Sequence, residues 1–561
     1  MKPAAIAQEA AMRPPDKVMK LARMGCFHQS RLSFMRALLR QLKRDRWEFK
    51  RSKWELDQNG VGVAVYYAKG PERDYSLVCF SHDLPPDKRS DRVIADQWDA
   101  TFVLCDGVPS DLDITRLHGE VPRQEAGRCS HTELVLSRAN RSVRLFDHVV
   151  ERLAQGLQPE VDKIDQVGYL MRTTAVYGNG KFGLSDRERI ADRSEFSNSF
   201  RAELLAVWLI RWFTVDVAEH MAAIRNPGEA VAMDPQIRRR LGVGNSTGLG
   251  MAPFLVTHPS LLHTWINARE TALLRVCGLS MASVEAAQYF RRILDRMRIS
   301  LRSWHTADER QTERIEDLKQ DLETLEQHIK SGAMDMSYPW NELVSWSETA
   351  LSVEGQELLV SMIIEPHGEL VDDLAEQMAI DETGYQAIDG SITVAETLMQ
   401  LKLHYQWAVD TDFNDPAACA RFWYVSEEKL EPRLGVRAEE PGAEKEQPLA
   451  FARDVKSYYT QLLTSPVNDS LARFLMTYPE HRSAARRVQL AEKLPYAEIR
   501  DNLVGSKMIP IDLLRCKLSF FGANKFDPRS DRWVRITMYQ DAPFPDEFDS
   551  VDPDDWIFPQ L

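Results

Sequence analysis

The sequence predicts an α+β protein that is predominantly α-helical: a helical bundle core with a small antiparallel sheet formed by N-terminal strands and a C-terminal strand. Three observations lead there. "VGVAVYYAKG", "YSLVCFSH" and "ATFVLCDG" (61–70, 75–82, 100–107) are short runs rich in Val, Tyr, Phe and Thr and bounded by Gly, Pro and Asp, as strands are. From Ser130 onward the apolar residues recur at helical spacing. Near the end, "WVRITMY" (533–539) is a strand with no sequence neighbour to pair with, so it is expected to join the N-terminal sheet.

Residues 1–17 carry Ala, Pro and mixed charge without a period and read as a flexible arm. A small α+β region, 18–125, opens with one or two helices carrying Leu21, Met24, Leu32, Met35, Leu38, Leu39 and Leu42. "AKGPERD" is short enough to close a hairpin between the first two strands. A helical core, 126–426, follows. In "SRANRSVRLFDHVVERLAQG" Ser137 is placed as an N-cap, Val143, Phe146, Val150 and Leu153 share a stripe, and Gly156 lies past the end. "FRAELLAVWLIRWFTVDVAEHMAAI" is apolar on more than one face, the mark of a helix inside a bundle. Thr306 and Glu309 have capping-box spacing before Ile315, Leu318, Leu322, Leu325 and Ile329, which predicts a helical hairpin with the segment from Ser283 to Trp304, or a dimer seam. Residues 427–450, charged and proline-bearing, read as a linker or loop. Residues 451–561 return to helices and end in the closing strand and an acidic tail.

The net charge of −14 argues against a general nucleic-acid surface, because phosphate attraction scales with clustered Lys and Arg. One stretch departs from this: Arg23 to Lys53 holds ten basic residues against two acidic ones, which reads as a solvated helix face or as a basic surface for a nucleic acid or an acidic partner. Seven scattered cysteines without C-x-x-C spacing, and an opening segment with no apolar core, fit a reduced, cytoplasmic chain. The most apolar helix is interrupted by Arg211, Asp216 and Glu219, so no membrane span is expected.

Two glycine-bearing stretches carry the chemistry. "LGVGNSTGLGMAPFLVTHP" (241–259) can turn its backbone N–H groups toward an anion, with Asn245, Ser246, Thr247 and Gly248 as further donors and His258 as an acid or base at the next helix. It obeys neither the P-loop nor the dinucleotide-binding grammar, and "PQIRRRLG" before it looks helical; its alternative reading is a glycine-rich connection packed tightly on a neighbour. "MRTTAVYGNGKFGLSDRER" (171–189) offers Arg172, Tyr177, Asn179 and Lys181: a cation between glycines can approach a carboxylate or phosphate, and a tyrosine beside a cation can exchange a proton. "FGANKFDPRSDR" echoes it with Lys525, Arg529 and Arg532. Arg141 and Arg144 share a face at an expected helix start and could clamp an anion, unless an internal Asp or Glu takes them. Arg269 and Glu270 read equally as an internal pair, and Glu365, His367 and Glu369 match no metal motif.

These residues predict a cytoplasmic enzyme for a small carboxylate- or phosphate-bearing substrate, acting by acid–base chemistry as a lyase or isomerase. The alternative is a non-catalytic helical scaffold or protein-interaction module. No metal site is expected, no cofactor can be assigned, and the chain length with a short heptad run is compatible with a homodimer.

Overall fold

The computed structural model describes residues 11–88, 97–121, 132–174, 190, 192–248, 259–302, 304, 306, 308–378, 387–412, 423–425, 432–434, 445–446, 451–500, 510–528 and 533–554. They divide into two compact units. One is built on a large sheet and spans 33–247, 521–529 and 534–561; the other, spanning 1–32, 248–520 and 530–533, is mainly helical with a small three-stranded antiparallel sheet of Trp423–Val425, Pro432–Leu434 and Lys445–Glu446.

The sheet is large and mixed, not small and antiparallel. Its strands are β1 Glu48–Leu56, β2 Gly62–Lys69, β3 Asp74–Ser81, β4 Ala100–Asp106, β5 Glu133–Arg141, β6 Tyr169–Thr173, β7 Gly242–Gly248, β8 Lys525–Pro528 and β9 Trp533–Met538. Nine strands lie in the order β1-β2-β3-β4-β5-β6-β7-β9-β8. From β1 to β6 neighbours pair antiparallel in chain order, β6 and β7 pair parallel, and β8 pairs antiparallel with β9. The hairpin expected at "AKGPERD" forms, closed by the Gly70 N–H on the Arg73 carbonyl at 2.9 Å. The closing strand joins the sheet as expected, beside β7.

Two expectations give way here. Ser137 lies inside β5, and the helix α3 that follows starts only at Phe146 (Phe146–Ala154). β5 is buried along nearly its whole length, so its residues lack the polar–apolar alternation that marks a half-exposed strand. "GVGNSTG" is strand β7 and not a loop. A side chain at Gly242 would overlap the Met538 carbonyl and come within 2.5 Å of Thr537 Cγ2; one at Gly244 would lie 2.7 Å from Tyr169 and 2.8 Å from Arg172. These glycines let neighbouring groups close over β7.

Helices cover both faces. On one lie Val65, Val78, Phe80, Val103 and Leu136 against Ile114 and Leu117 of α2 (Asp111–Glu120). On the other lies α5 (Arg201–Arg225), with Tyr66 on Trp212 at 5.0 Å and Phe102 on Phe213 at 5.4 Å between ring centroids. The all-round apolar character of α5 thus reflects burial between the sheet and α1 (Phe34–Arg44), α3 and the segment after β9, not a bundle interior. Among the described residues no helix is long and apolar enough to cross a membrane.

Asp216 of α5 accepts from Tyr66 Oη at 2.7 Å and from Arg51 Nη1 at 2.9 Å, yet burial outweighs both donors and pushes its pKa up to about 6. An acid with a raised folded pKa favours folding when protonated, so the native state gains on Asp216 as pH falls from about 6 toward about 4. Asp216→Asn is accordingly expected to raise stability by about 1–3 kcal/mol at pH 7.5, with the gain vanishing near pH 4. Urea unfolding of both proteins at the two pH values checks this.

In the helical unit α7 (Pro259–Cys277) packs on α10 (Pro339–Ala350), α11 (Val353–Ile364) and α12 (Gly368–Glu376). The expected helical hairpin forms from α8 (Val284–Leu301) and α9 (Glu309–Lys330), tied by Arg298 to Glu326 at 2.8 Å. Asp308, not Thr306, caps α9, accepting from the Gln311 N–H at 3.0 Å. A carboxylate is the stronger acceptor at the positive end of a helix. A second cluster gathers Leu401, Tyr405, Val455, Tyr458, Phe474 and Val488.

Buried ions hold this unit together. Arg13 bonds Glu270 at 2.7 Å and Glu357 at 2.8 Å, Arg269 bonds the same two carboxylates, and Arg23 adds a third guanidinium on Glu357. Next to them on α11, Glu354 receives Arg515 and His28. The pair Arg269 and Glu270 is therefore an internal one.

Candidate anion site on the central sheet

Residues opposite one another in an antiparallel pair point to the same side of the sheet. Asn140 of β5 is opposite Arg172 of β6, and Arg138 is opposite Thr101 of β4, so these four side chains share a face. His82, just past β3, extends the row: its Nε2 lies 2.9 Å from Thr101 Oγ1. Burial holds the His82 pKa below its ordinary value, and His118, its ring centroid 6.2 Å away, pushes the same way. Thr101, Asn140 and Arg172 are buried.

Arg141 is opposite Met171 and projects to the other face. There its backbone N–H donates to Asp99 Oδ2 at 2.9 Å, its Nε is 3.9 Å from Asp99 Oδ1, and its guanidinium lies 4.6 Å over the Phe146 ring. Arg144 sits in the turn before α3, so the two arginines share no helix face. The expectation failed because the stretch is a strand followed by a turn.

Asn245 is buried in β7, one residue beyond Gly244, the register partner of Arg172. Ser246, Thr247 and Gly248 form the last three positions of that strand. Tyr169 and Arg172 close over Gly244 together, and the Tyr169 hydroxyl is buried with no hydrogen-bond partner among the described residues. Tyr177, Asn179, Lys181 and His258 lie outside the described residues. No known family, curated protein or solved structure matches the chain.

Because β6 and β7 are parallel neighbours, their carboxyl ends lie at one edge of the sheet. At that edge Thr174 follows β6 and Asn245 to Gly248 end β7; residues 175–181, the rest of the first glycine-bearing stretch, lie outside the described residues. Sequence reasoning missed Tyr169, His82, Thr101 and Asn140. Alternation within strands could have grouped their faces, but only the register across β3 to β7 unites them. Among the described residues no group of His, Cys, Asp or Glu is arranged to hold a metal ion.

The basic stretch is largely paired internally. In the helical unit Arg23 meets Glu357 and Arg31 meets Asp372. In the sheet unit Arg40 meets Asp554, Arg51 meets Asp216 and Lys53 meets Asp111.

Proposed function

We propose that the sheet unit is an enzyme that binds a small carboxylate- or phosphate-bearing substrate at the carboxyl ends of β6 and β7 and moves a proton on it, as a lyase or isomerase does. One observation carries the reading: the parallel β6–β7 pair brings the roots of both glycine-bearing stretches to the same edge. Ligands of open α/β sheets bind outside the carboxyl ends of parallel strands, where backbone N–H groups are free to turn toward an anion. Arg172 neutralises the anion, and Asn245, Ser246, Thr247 and the Gly248 N–H donate to it. Lys181 and Tyr177 follow Thr174 by seven and three residues, within reach of at most about 25 Å and 11 Å of extended chain. Lys181 supplies further charge, Asn179 a donor, and Tyr177 the proton. We place the protein in the cytoplasm, in keeping with buried free thiols at Cys26, Cys79, Cys105, Cys277 and Cys516.

A scaffold reading is favoured by one specific fact: Gly242 and Gly244 are explained by packing alone. A thermal-shift panel of inorganic phosphate, small carboxylates and acyl thioesters separates the two readings. A ligand at a hundred times its Kd stabilises the folded protein by about 2.7 kcal/mol. The enzyme reading expects one class to raise Tm, and Lys181→Ala and the double variant Ser246→Ala/Thr247→Ala to lose that rise while staying folded. No shift with any class would leave the scaffold.

A further inference from the structure

The segment after β9 is attached to the sheet unit in an unusual way. From Ala542 to Asp552 its backbone N–H bonds are all local: Ala542 to the Tyr539 carbonyl, Phe544 to the Glu547 carboxylate, Glu547 to the Phe544 carbonyl and Ser550 to the Glu547 carbonyl. It adds no strand to the sheet. Side chains of α1, α5 and α6 (Pro235–Arg239) hold it instead. Trp208 Nε1 donates to the Pro543 carbonyl at 2.9 Å, Arg211 to the Ala542 carbonyl at 2.8 Å, and Lys43 Nζ to the carbonyls of Phe548 and Asp549 at 2.6 and 2.7 Å.

Two phenylalanines anchor the segment. Phe544, fully buried, is sandwiched between the guanidinium groups of Arg211 and Arg238, 3.8 and 3.9 Å from its ring centroid. Phe548, four residues on, meets Trp208 edge to face at 4.9 Å. Around these anchors the charges match. Arg238 grips Asp546 with both terminal nitrogens at 2.7 and 2.8 Å, Arg239 bonds Glu547 at 2.8 Å, and Arg40 bonds Asp554 at 2.9 Å. Between Ala542 and Asp554 the sequence holds acidic residues and no basic one.

Aromatic anchors in pockets, a rim of arginine–carboxylate pairs, one of them bidentate, and no shared ladder are features with which folded domains take up linear peptides. At its root Tyr539 and Asp541 have φ of +61° and +64°, a conformation costly for residues with a side chain and held only while their surroundings enforce it.

We propose that this basic, aromatic groove is a peptide-recognition site for an acidic segment with two phenylalanines four residues apart, and that Ala542–Asp554 fills it as a displaceable ligand in cis. A partner protein displaying the same Pro-Phe-Pro-acidic-acidic-Phe order takes its place. The groove is separate from the carboxyl ends of β6 and β7, so the inference does not depend on the proposed enzyme.

The test is fluorescence anisotropy of a labelled peptide spanning residues 541–554 against the chain truncated after Gln540. Saturable binding is expected, weakened about tenfold or more in a Phe544→Ala peptide and falling with added salt. A folded truncated chain that ignores the peptide, or binds the Phe544→Ala peptide equally well, overturns the proposal. If truncation prevents folding, hydrogen exchange on the full chain decides. The amides of Phe544, Glu547 and Ser550 are expected to exchange ahead of β2 to β4, and faster still in Arg238→Glu/Arg239→Glu, with those strands unchanged. Exchange of segment and sheet as one unit shows an integral core element and overturns the proposal.

Discussion

Glu357→Ala is expected to cost the helical unit about 3–5 kcal/mol, because removing one partner of a buried ion cluster strands the others. Arg13, Arg23 and Arg269 all bond this carboxylate, so the variant leaves Arg13 and Arg269 to share Glu270 and takes from Arg23 the carboxylate it bonds. Burial by itself would raise the Glu357 pKa, but the guanidinium groups of Arg13, Arg269 and Arg23 outweigh it and hold the carboxyl well below the usual range. Glu354, between Arg515 and His28, is held low in the same way. The sign of the linkage follows. An acid with a depressed folded pKa contributes its full stability above its unfolded value, about 4.3, and loses it progressively as pH falls toward the folded value. Urea unfolding from pH 7 to pH 3 is expected to show a steep loss below about pH 4 in the natural protein and a shallower one in Glu357→Ala. Equal slopes would mean that the cluster does not couple to folding.

The second large effect belongs to Gly242. Gly242→Ala is expected to destabilise the sheet unit by about 3 kcal/mol, the upper end of the usual cost of overpacking, because the new methyl meets a backbone oxygen that cannot rotate away. Gly228→Ala is the control. Nothing lies within 4 Å of a methyl group there, so its stability should stay within about 0.5 kcal/mol of the natural protein or rise slightly. Thermal unfolding of the two variants side by side reads the difference. A mild Gly242→Ala would mean that β7 and β9 have room to part, which would return the glycines of β7 to conformational freedom as their reason for being there.

Elements whose signal is local were legible. The runs between Val61 and Gly107 are rich in Val, Tyr, Phe and Thr and end at turn residues, and they fold as β2 to β4, the first two joined by the hairpin at Gly70; the closing strand reads as a strand and takes its place in the sheet. The failures have separate causes. In β5 both faces are covered, so no period of two survives to mark it. In β7 glycines stand where a β-branched residue would have signalled a strand, and the reason for them is a partner nearly three hundred residues away, Met538. The candidate site was half legible. Arg172 and Asn245 were picked by residue type, and the sheet places them on adjacent strands. Arg141 was picked on a helical spacing that does not exist, and its side chain lies over the Phe146 ring near Asp99. The row His82, Thr101, Arg138, Asn140 and Arg172 could not be read from the sequence, because register between strands is a property of the whole sheet.

The most direct test of the central claim is hydrogen exchange on the natural chain, read by peptide, with and without saturating inorganic phosphate or a small dicarboxylate. If one anion occupies the carboxyl ends of β6 and β7, residues 174–181 and 245–248 gain protection together, at the same ligand concentration and with little change elsewhere. If the ligand raises Tm yet protects neither stretch, or protects one without the other, the two glycine-bearing stretches do not share a site and the proposed enzyme is contradicted.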